Sequence, residues 1–385
     1  MAATRTPISQ RKGPKQNRSR QKITELLRLA GISVNGNRPS DIQVHNEMLF
    51  SRILADGSLG LGESFMDGWW TCARVDEFIC KLITARLHMR IKSWKDYLAF
   101  IGATVNYHGS KSKAFEIGKH HYDIGNDLYR RMLDDRMIYS CGYWKNTTDL
   151  STAQEAKLDL VCKKLLLKPG MRILDVGCGW GGTAKFAAER YQVEVVGVTV
   201  SEEQAKIAQE TCKGLPIEIY LQDYQDIQGT FDRIFSIGMF EHVGFKSYST
   251  YMRFVADHLR ENGLFLLHTI GANYSDKVGN AWVEKYIFPN SMLPSIAQIG
   301  AAAENKLVME DWQNFGPDYD RTLMKWFENF DRQWSKLKTD YDERFYRMWK
   351  YYLLSFAGSF RARENQLWQI VFSRDRMQQR YDAPR

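Results

Sequence analysis

The rhythm of apolar and polar positions changes at residue 169. Downstream, short apolar runs bounded by turn residues alternate with amphipathic stretches. The turn signal Pro169-Gly170 precedes the run 171–176, which reads as a buried strand, and 183–190 reads as the helix that follows it. Runs at 193–198, 217–221, 233–237 and 264–269 predict four more strands. Helices are predicted over 201–213 and 247–260, the second closed by Asn262-Gly263. Such alternation predicts an α/β fold with a doubly wound, mostly parallel sheet. Residues 281–360 interrupt it with aromatic-rich helical patterns, and 367–372 is β-like enough to rejoin the sheet.

Upstream the pattern predicts a small N-terminal α+β domain over 23–92. It comprises a short helix at 23–30 closed by Gly31, a strand at 41–45, a helix at 46–55 ended by Gly57, and a helix at 76–87. The glycines and paired Trp69 and Trp70 of 57–70 read as a packed, irregular connection. Residues 93–107 carry Trp94, Leu98, Ile101 and Val105 at helical spacing, a stripe that suits packing on a neighbour or lying on a membrane surface. Residues 108–119 read as a linker, and 120–385 as the catalytic domain, with the helical insertion at about 281–360. Residues 1–22 are basic, polar and free of Asp and Glu, and read as a flexible tail.

The turn after the first strand carries the candidate chemistry. Gly177, Gly179 and Gly182 fit the spacing of a dinucleotide loop between a strand and a helix N-terminus. Asp175 lies two residues before the first glycine. A carboxylate there crowds a pyrophosphate but suits a cationic ligand such as S-adenosylmethionine (SAM), which carries an ammonium and a sulfonium. The second strand ends at Thr199 with Gln204 soon after, where a dinucleotide enzyme usually places an acid for the ribose. Gln222-Asp223-Tyr224, after the third strand, offers a carboxamide, a carboxylate and a ring to an adenine. Glu241, after the fourth strand, and His268, at the end of the fifth, lie near adjacent carboxyl ends. A lone histidine on an apolar strand is more often a satisfied core residue, yet two polar groups meeting at a cleft favour function.

Composition narrows the partners. The chain has 385 residues, 44% hydrophobic and 25% charged, as an ordinary globular protein does. Its net charge of +8 favours an anionic partner. No interleaved basic and aromatic motif supports nucleic acid, which leaves an acidic membrane face. The six cysteines (Cys72, Cys80, Cys141, Cys162, Cys178, Cys212) form no C-x-x-C pair and no zinc-spaced cluster, so no metal is expected and a reducing cytoplasm is the simplest compartment.

Tyr139-Ser140-Cys141 and the segments 174–182, 238–244 and 267–271 together resemble the cyclopropane fatty acid synthase family, SAM-dependent enzymes of unsaturated acyl chains. The likeness runs from the N-terminal glycine-rich loop through Phe360-Arg361-Ala362-Arg363 and Leu367-Trp368-Gln369. The long N-terminal segment is more similar to the bacterial type that modifies membrane phospholipids than to mycolic acid cyclopropane synthases. The resemblance implies that Tyr139, Ser140, Gly177, Gly179, Thr199, Gln204 and Tyr224 contact SAM; the strand-end reading adds Asp175, Gln222 and Asp223. It also implies a bicarbonate held by Cys141, Glu241, His268 and Tyr319 with the backbone of Ile270. The implied reaction moves the SAM methyl to the double bond of a phospholipid acyl chain and closes a cyclopropane ring, with the proton lost to bicarbonate. Another SAM-dependent methyltransferase, acting on a lipid or small molecule, would share the cradle without needing those four side chains together. The implied partners are the bilayer and a second copy in a homodimer, at the inner face of the cytoplasmic membrane.

Overall fold

The computed structural model describes residues 14–87, 125–276, 279–374 and 380–385. The described residues begin with α1 (Pro14–Leu29), so the basic segment expected to be a tail is helical from Pro14 onward. β1 (Gln43–Val44) pairs with β2 (Trp70–Thr71) on either side of α2 (Met48–Met66), and α3 (Val75–Thr84) follows. The irregular connection expected at 57–70 is instead mostly the second half of α2. Gly57, at φ 55° and ψ −126°, kinks the helix without ending it. The stripe expected at 93–107 and the linker at 108–119 lie outside the described residues.

The remaining elements build the sheet and its cover. They are α4 (Asn126–Met132), α5 (Leu150–Lys164), β3 (Arg172–Val176), α6 (Gly182–Tyr191), β4 (Glu194–Thr199), α7 (Glu202–Thr211), β5 (Ile217–Leu221), β6 (Phe231–Ile237), α8 (Tyr248–His258), β7 (Leu259–Ala272), α9 (Ala281–Tyr286), α10 (Ile296–Ala303), β8 (Val308–Asn314), α11 (Gly316–Leu337), α12 (Glu343–Arg361) and β9 (Asn365–Ser373). The strand order is β5-β4-β3-β6-β7-β9-β8. The strands from β3 to β7 are parallel, and β9 runs antiparallel between β7 and β8. The strand at 308–314 within the expected helical insertion is a correction to the sequence pattern. The chain lays β4 and β5 to one side of β3 and β6 and β7 to the other. That reversal opens a crevice at the carboxyl ends of β3 and β6, where open α/β sheets bind ligands.

The N-terminal elements do not keep a core to themselves. Phe50, Phe65, Trp70 and Phe78 share one apolar cluster with Trp326 and Phe330 of α11 and with Trp349, Tyr352 and Phe360 of α12. Arg361 at the end of α12 clamps the join: it donates to Asp76 of α3 at 2.6 Å and to Asp320 of α11 at 2.8 and 2.9 Å. The Glu63 carboxylate of α2 accepts from Lys285 at 2.6 Å and from Tyr286 at 2.8 Å, both on α9. No helix among the described residues is long and apolar enough to cross a membrane.

Candidate active site

The glycine turn sits in the crevice. Gly177 has φ +90°, its N–H donates to Val198 O at 3.0 Å, and a Cβ there would lie 2.9 Å from Met239 Cβ. A Cβ on Gly182 would come within 2.2 Å of the Arg136 carbonyl oxygen. Glycine at both positions lets the turn fit between the Met239 side chain and the Arg136 backbone. Gly179, at φ +54°, has open space above it among the described residues. Beneath the turn, Asp175 is buried, and its Oδ2 has no hydrogen-bond partner among the described residues. Burial pushes its carboxyl up to about 8, against the pull of the Lys157 charge.

The other candidates for the cosubstrate lie at the carboxyl ends of β4 and β5 and in the segment before α5. Thr199 and Gln204 are buried and bonded to each other, the hydroxyl donating to Oε1 at 2.9 Å. Gln222 follows β5 and donates its N–H to Thr199 O at 3.0 Å. Asp223 is buried and accepts from Gln225 N–H at 2.9 Å, starting a short 3-10 turn. Tyr224 is half-buried, edge-on to Tyr251 at 5.2 Å and Phe254 at 5.0 Å, so its ring is held in place. Tyr139 shares a hydrogen bond with Tyr352 at 2.8 Å, and its neighbour Ser140 accepts from Lys157 Nζ at 2.8 Å. These side chains are thus largely fixed by hydrogen bonds and ring contacts to their neighbours.

The five residues expected around an anion come from four parts of the fold, and four of them, Cys141, Glu241, Ile270 and Tyr319, act on one another. Glu241 follows β6, and its Oε1 accepts the Ile270 N–H at 2.7 Å. Ile270 thus engages Glu241 through its amide. The Glu241 Oε2 and His268 Nε2 are both buried without a hydrogen-bond partner among the described residues. Burial pushes the Glu241 carboxyl up to about 7, with the Ile270 and Glu241 amides and the Thr269 hydroxyl working against it. Tyr319 on α11 is buried between Phe360 at 4.7 Å and Trp326 at 5.9 Å. Burial raises its phenol, and Tyr352, Cys141 and Glu241 raise it further. Burial likewise raises the Cys141 thiol, so it is a thiol and not a thiolate. His268 is held well below its ordinary value by burial and by the charges of Lys157 and Lys164, which keeps the ring neutral.

One residue at the centre escaped the sequence pattern. Lys157 on α5 is buried, and burial lowers its ammonium to about 8. Its charge acts on Asp134, Cys141 and Asp175 and on His268, so it reaches candidates of both groups. Lys157, Val161 and Lys164 share one face of α5, and the charge reads as a solvated position in a helical pattern. Thr322 also went unmarked; its Oγ1 accepts from Gly142 N–H at 3.1 Å and Trp144 Nε1 at 2.8 Å, holding the Cys141 segment on α11.

Known proteins place this geometry. The chain is 55% identical over 351 residues to the cyclopropane-fatty-acyl-phospholipid synthase of Escherichia coli, an alignment that covers 91% of this chain and 92% of that one. It is 37% identical over 278 residues to a probable fatty acid methyltransferase of Pseudomonas putida, covering 69% of this chain and 71% of the relative. Among solved structures, the mycolic acid cyclopropane synthase CmaA1 complexed with SAH and CTAB is 32% identical and superposes with a TM-score of 0.64, covering 67% of this chain and 98% of that one. The cyclopropane synthase MmaA2 of Mycobacterium tuberculosis gives the same TM-score of 0.64 at 30% identity, covering 67% of this chain and 98% of its own. The family model for mycolic acid cyclopropane synthetase matches residues 109–370, which hold the glycine turn, Cys141, Glu241, His268 and Tyr319. The sheet, the turn and these matches agree: the chain belongs to the cyclopropane synthase family of SAM-dependent methyltransferases.

Proposed function

We propose that the protein transfers the methyl group of SAM to the double bond of unsaturated phospholipid acyl chains and closes a cyclopropane ring. In this reading a bicarbonate in the pocket of Cys141, Glu241, His268 and Tyr319 receives the proton that ring closure releases. SAM supplies an electrophilic methyl on sulfur when bound. The chain supplies position, dryness and charge. Tyr139, Ser140, Thr199, Gln204 and the turn at 177–182 hold the nucleoside and amino acid ends, so that the methyl meets the olefin in line. The alkene is a weak nucleophile, and the positive charge that develops on the acyl chain would be trapped by water. Tyr139, Tyr319, Trp326, Tyr352 and Phe360 surround the site with ring faces, each able to favour a nearby cation by about 0.5–2 kcal/mol.

The buried, unpartnered Glu241 Oε2 and His268 Nε2 carry the assignment of an anion to this pocket. A carboxyl held at about 7 is partly protonated at neutral pH, so Glu241 shares a proton with an anion rather than repelling it. The neutral imidazole, the Cys141 thiol and the Tyr319 phenol are further donors. The net charge of +8 supports work at the surface of an anionic bilayer, and the resemblance implies a homodimer.

The test combines purified protein, SAM and vesicles of unsaturated phospholipid. Acyl chains should gain the mass of one CH2 and show the upfield proton signals of a cyclopropane methylene. A mass gain with an olefinic signal retained would mean methyl branching and overturn the ring-closing step. Turnover unchanged in buffer stripped of carbon dioxide would overturn the bicarbonate assignment alone.

A further inference from the structure

A row of polar side chains crosses the antiparallel end of the sheet. Strand register sets His268 of β7 opposite Gln369 of β9, and Gln369 opposite Gln313 of β8. Residues directly opposite share a face of the sheet. That face is covered by α5: Leu266 and Val371, two residues along, pack with Leu158 and Val161 of the helix and Leu165 just past its end. Gln369 is fully buried, in a layer where an apolar residue would be cheaper. Its Nε2 lies 3.3 Å from His268 Nδ1.

An amide NH2 can only donate, so Nδ1 of His268 accepts. A neutral imidazole that accepts at Nδ1 carries its proton on Nε2. Nε2 is the buried ring atom with no partner among the described residues. With the amide turned end for end, Oε1 would accept from an Nδ1–H, and Nε2 would meet an anion with a bare lone pair. Lys157 and Lys164 of α5 add positive charge on the ring's surroundings, which opposes a second proton.

We propose that Gln369 is a positioning residue: it fixes His268 in the Nε2–H tautomer, so that the ring meets the pocket's anion with a donor. This rests on the anion pocket proposed above. The test uses the full chain with 15N-labelled histidine. Two-bond proton–nitrogen spectra distinguish the tautomers, and loss of one signal set in His268→Gln assigns the ring among the eight histidines. The wild type should show Nε2–H. Gln369→Glu offers only acceptors; it should move the proton to Nδ1 or charge the ring. Turnover should then fall about 100-fold or more, as when a histidine is held in the wrong tautomer elsewhere. Gln369→Met, isosteric and uncharged, should give a tautomer mixture and an intermediate loss. In both variants SAM affinity, measured by calorimetry, should stay within about threefold.

A wild-type Nδ1–H signal would overturn the proposal. So would an unchanged His268 spectrum in Gln369→Met, which alone decides the matter if Gln369→Glu does not fold. If the tautomer pattern holds but turnover ignores bicarbonate, the positioning role stands and the anion assignment falls.

Discussion

Glu241→Gln separates what the site requires from what the fold tolerates. The glutamine keeps an oxygen for the Ile270 N–H, 2.7 Å away in the native chain, but cannot titrate. Burial holds the native carboxyl at about 7 instead of 4.5. Between those pH values the folded chain retains a proton that the unfolded chain has already released. Native stability therefore falls as pH rises from 4.5 through 7, and the penalty is constant above that window. At about 1.4 kcal/mol per pH unit, the full penalty is about 3 kcal/mol. The variant escapes it. At pH ~8 it should be the more stable protein by up to about 3 kcal/mol, a rise in melting temperature of roughly 5 °C, with the advantage gone near pH ~4. Turnover on vesicles should nonetheless drop about 100-fold or more, while SAM affinity changes by less than about threefold. Melting curves at both pH values, calorimetry and the lipid assay read the three quantities. Equal losses of SAM affinity and turnover would place Glu241 in the cosubstrate site and refute its role beside the anion. A melting difference that ignores pH would refute the buried titration.

Gly177→Ala forces a side chain into φ +90° with its Cβ 2.9 Å from Met239, so chemical melts should show a loss of about 1–3 kcal/mol and calorimetry a SAM affinity weaker by about tenfold. Lys157→Met removes a buried ammonium whose one hydrogen bond among the described residues is to the neutral Ser140 hydroxyl. Its melting temperature should hold or rise, since apolar residues of similar volume often replace buried charges without loss, while kcat falls at least about tenfold. Flotation with vesicles should rise with anionic lipid and fall between low and high salt, each near-surface Lys or Arg contributing about 1 kcal/mol; flotation indifferent to both would remove the electrostatic part of the membrane reading.

The parallel strands were legible because each is an apolar run closed by a turn. The run 217–221 coincides with β5, and 233–237 falls within β6. β8 was not, because Val308–Asn314 mixes exposed, charged and aromatic positions and owes its pairing to β9, a partner more than fifty residues away. The second half of α2 was misread for a related reason. Gly57, Gly60 and Gly62 look like helix breakers, yet a Cβ at Gly62 would lie 2.4 Å from Trp282, so close approach to α9 needs a glycine inside the helix. Glu241 and His268 stood out as polar residues at the ends of apolar strands. Tyr319 and Cys141, buried among aromatics, were marked by family resemblance alone. Lys157 shows the limit of periodicity: a helical pattern cannot tell a lysine sealed inside from one in water.

The Arg361 clamp changes what counts as the smallest working piece of this enzyme. Asp320, which it grips, is the residue next to Tyr319, and its other carboxylate belongs to a helix near the beginning of the chain. A fragment cut to the 109–370 stretch would lose Asp76 and bare the apolar side of the helices that flank Tyr319. The described residues 14–87 therefore brace the helices that carry and flank Tyr319, so a site built on Tyr319 depends on a segment far from it in the chain.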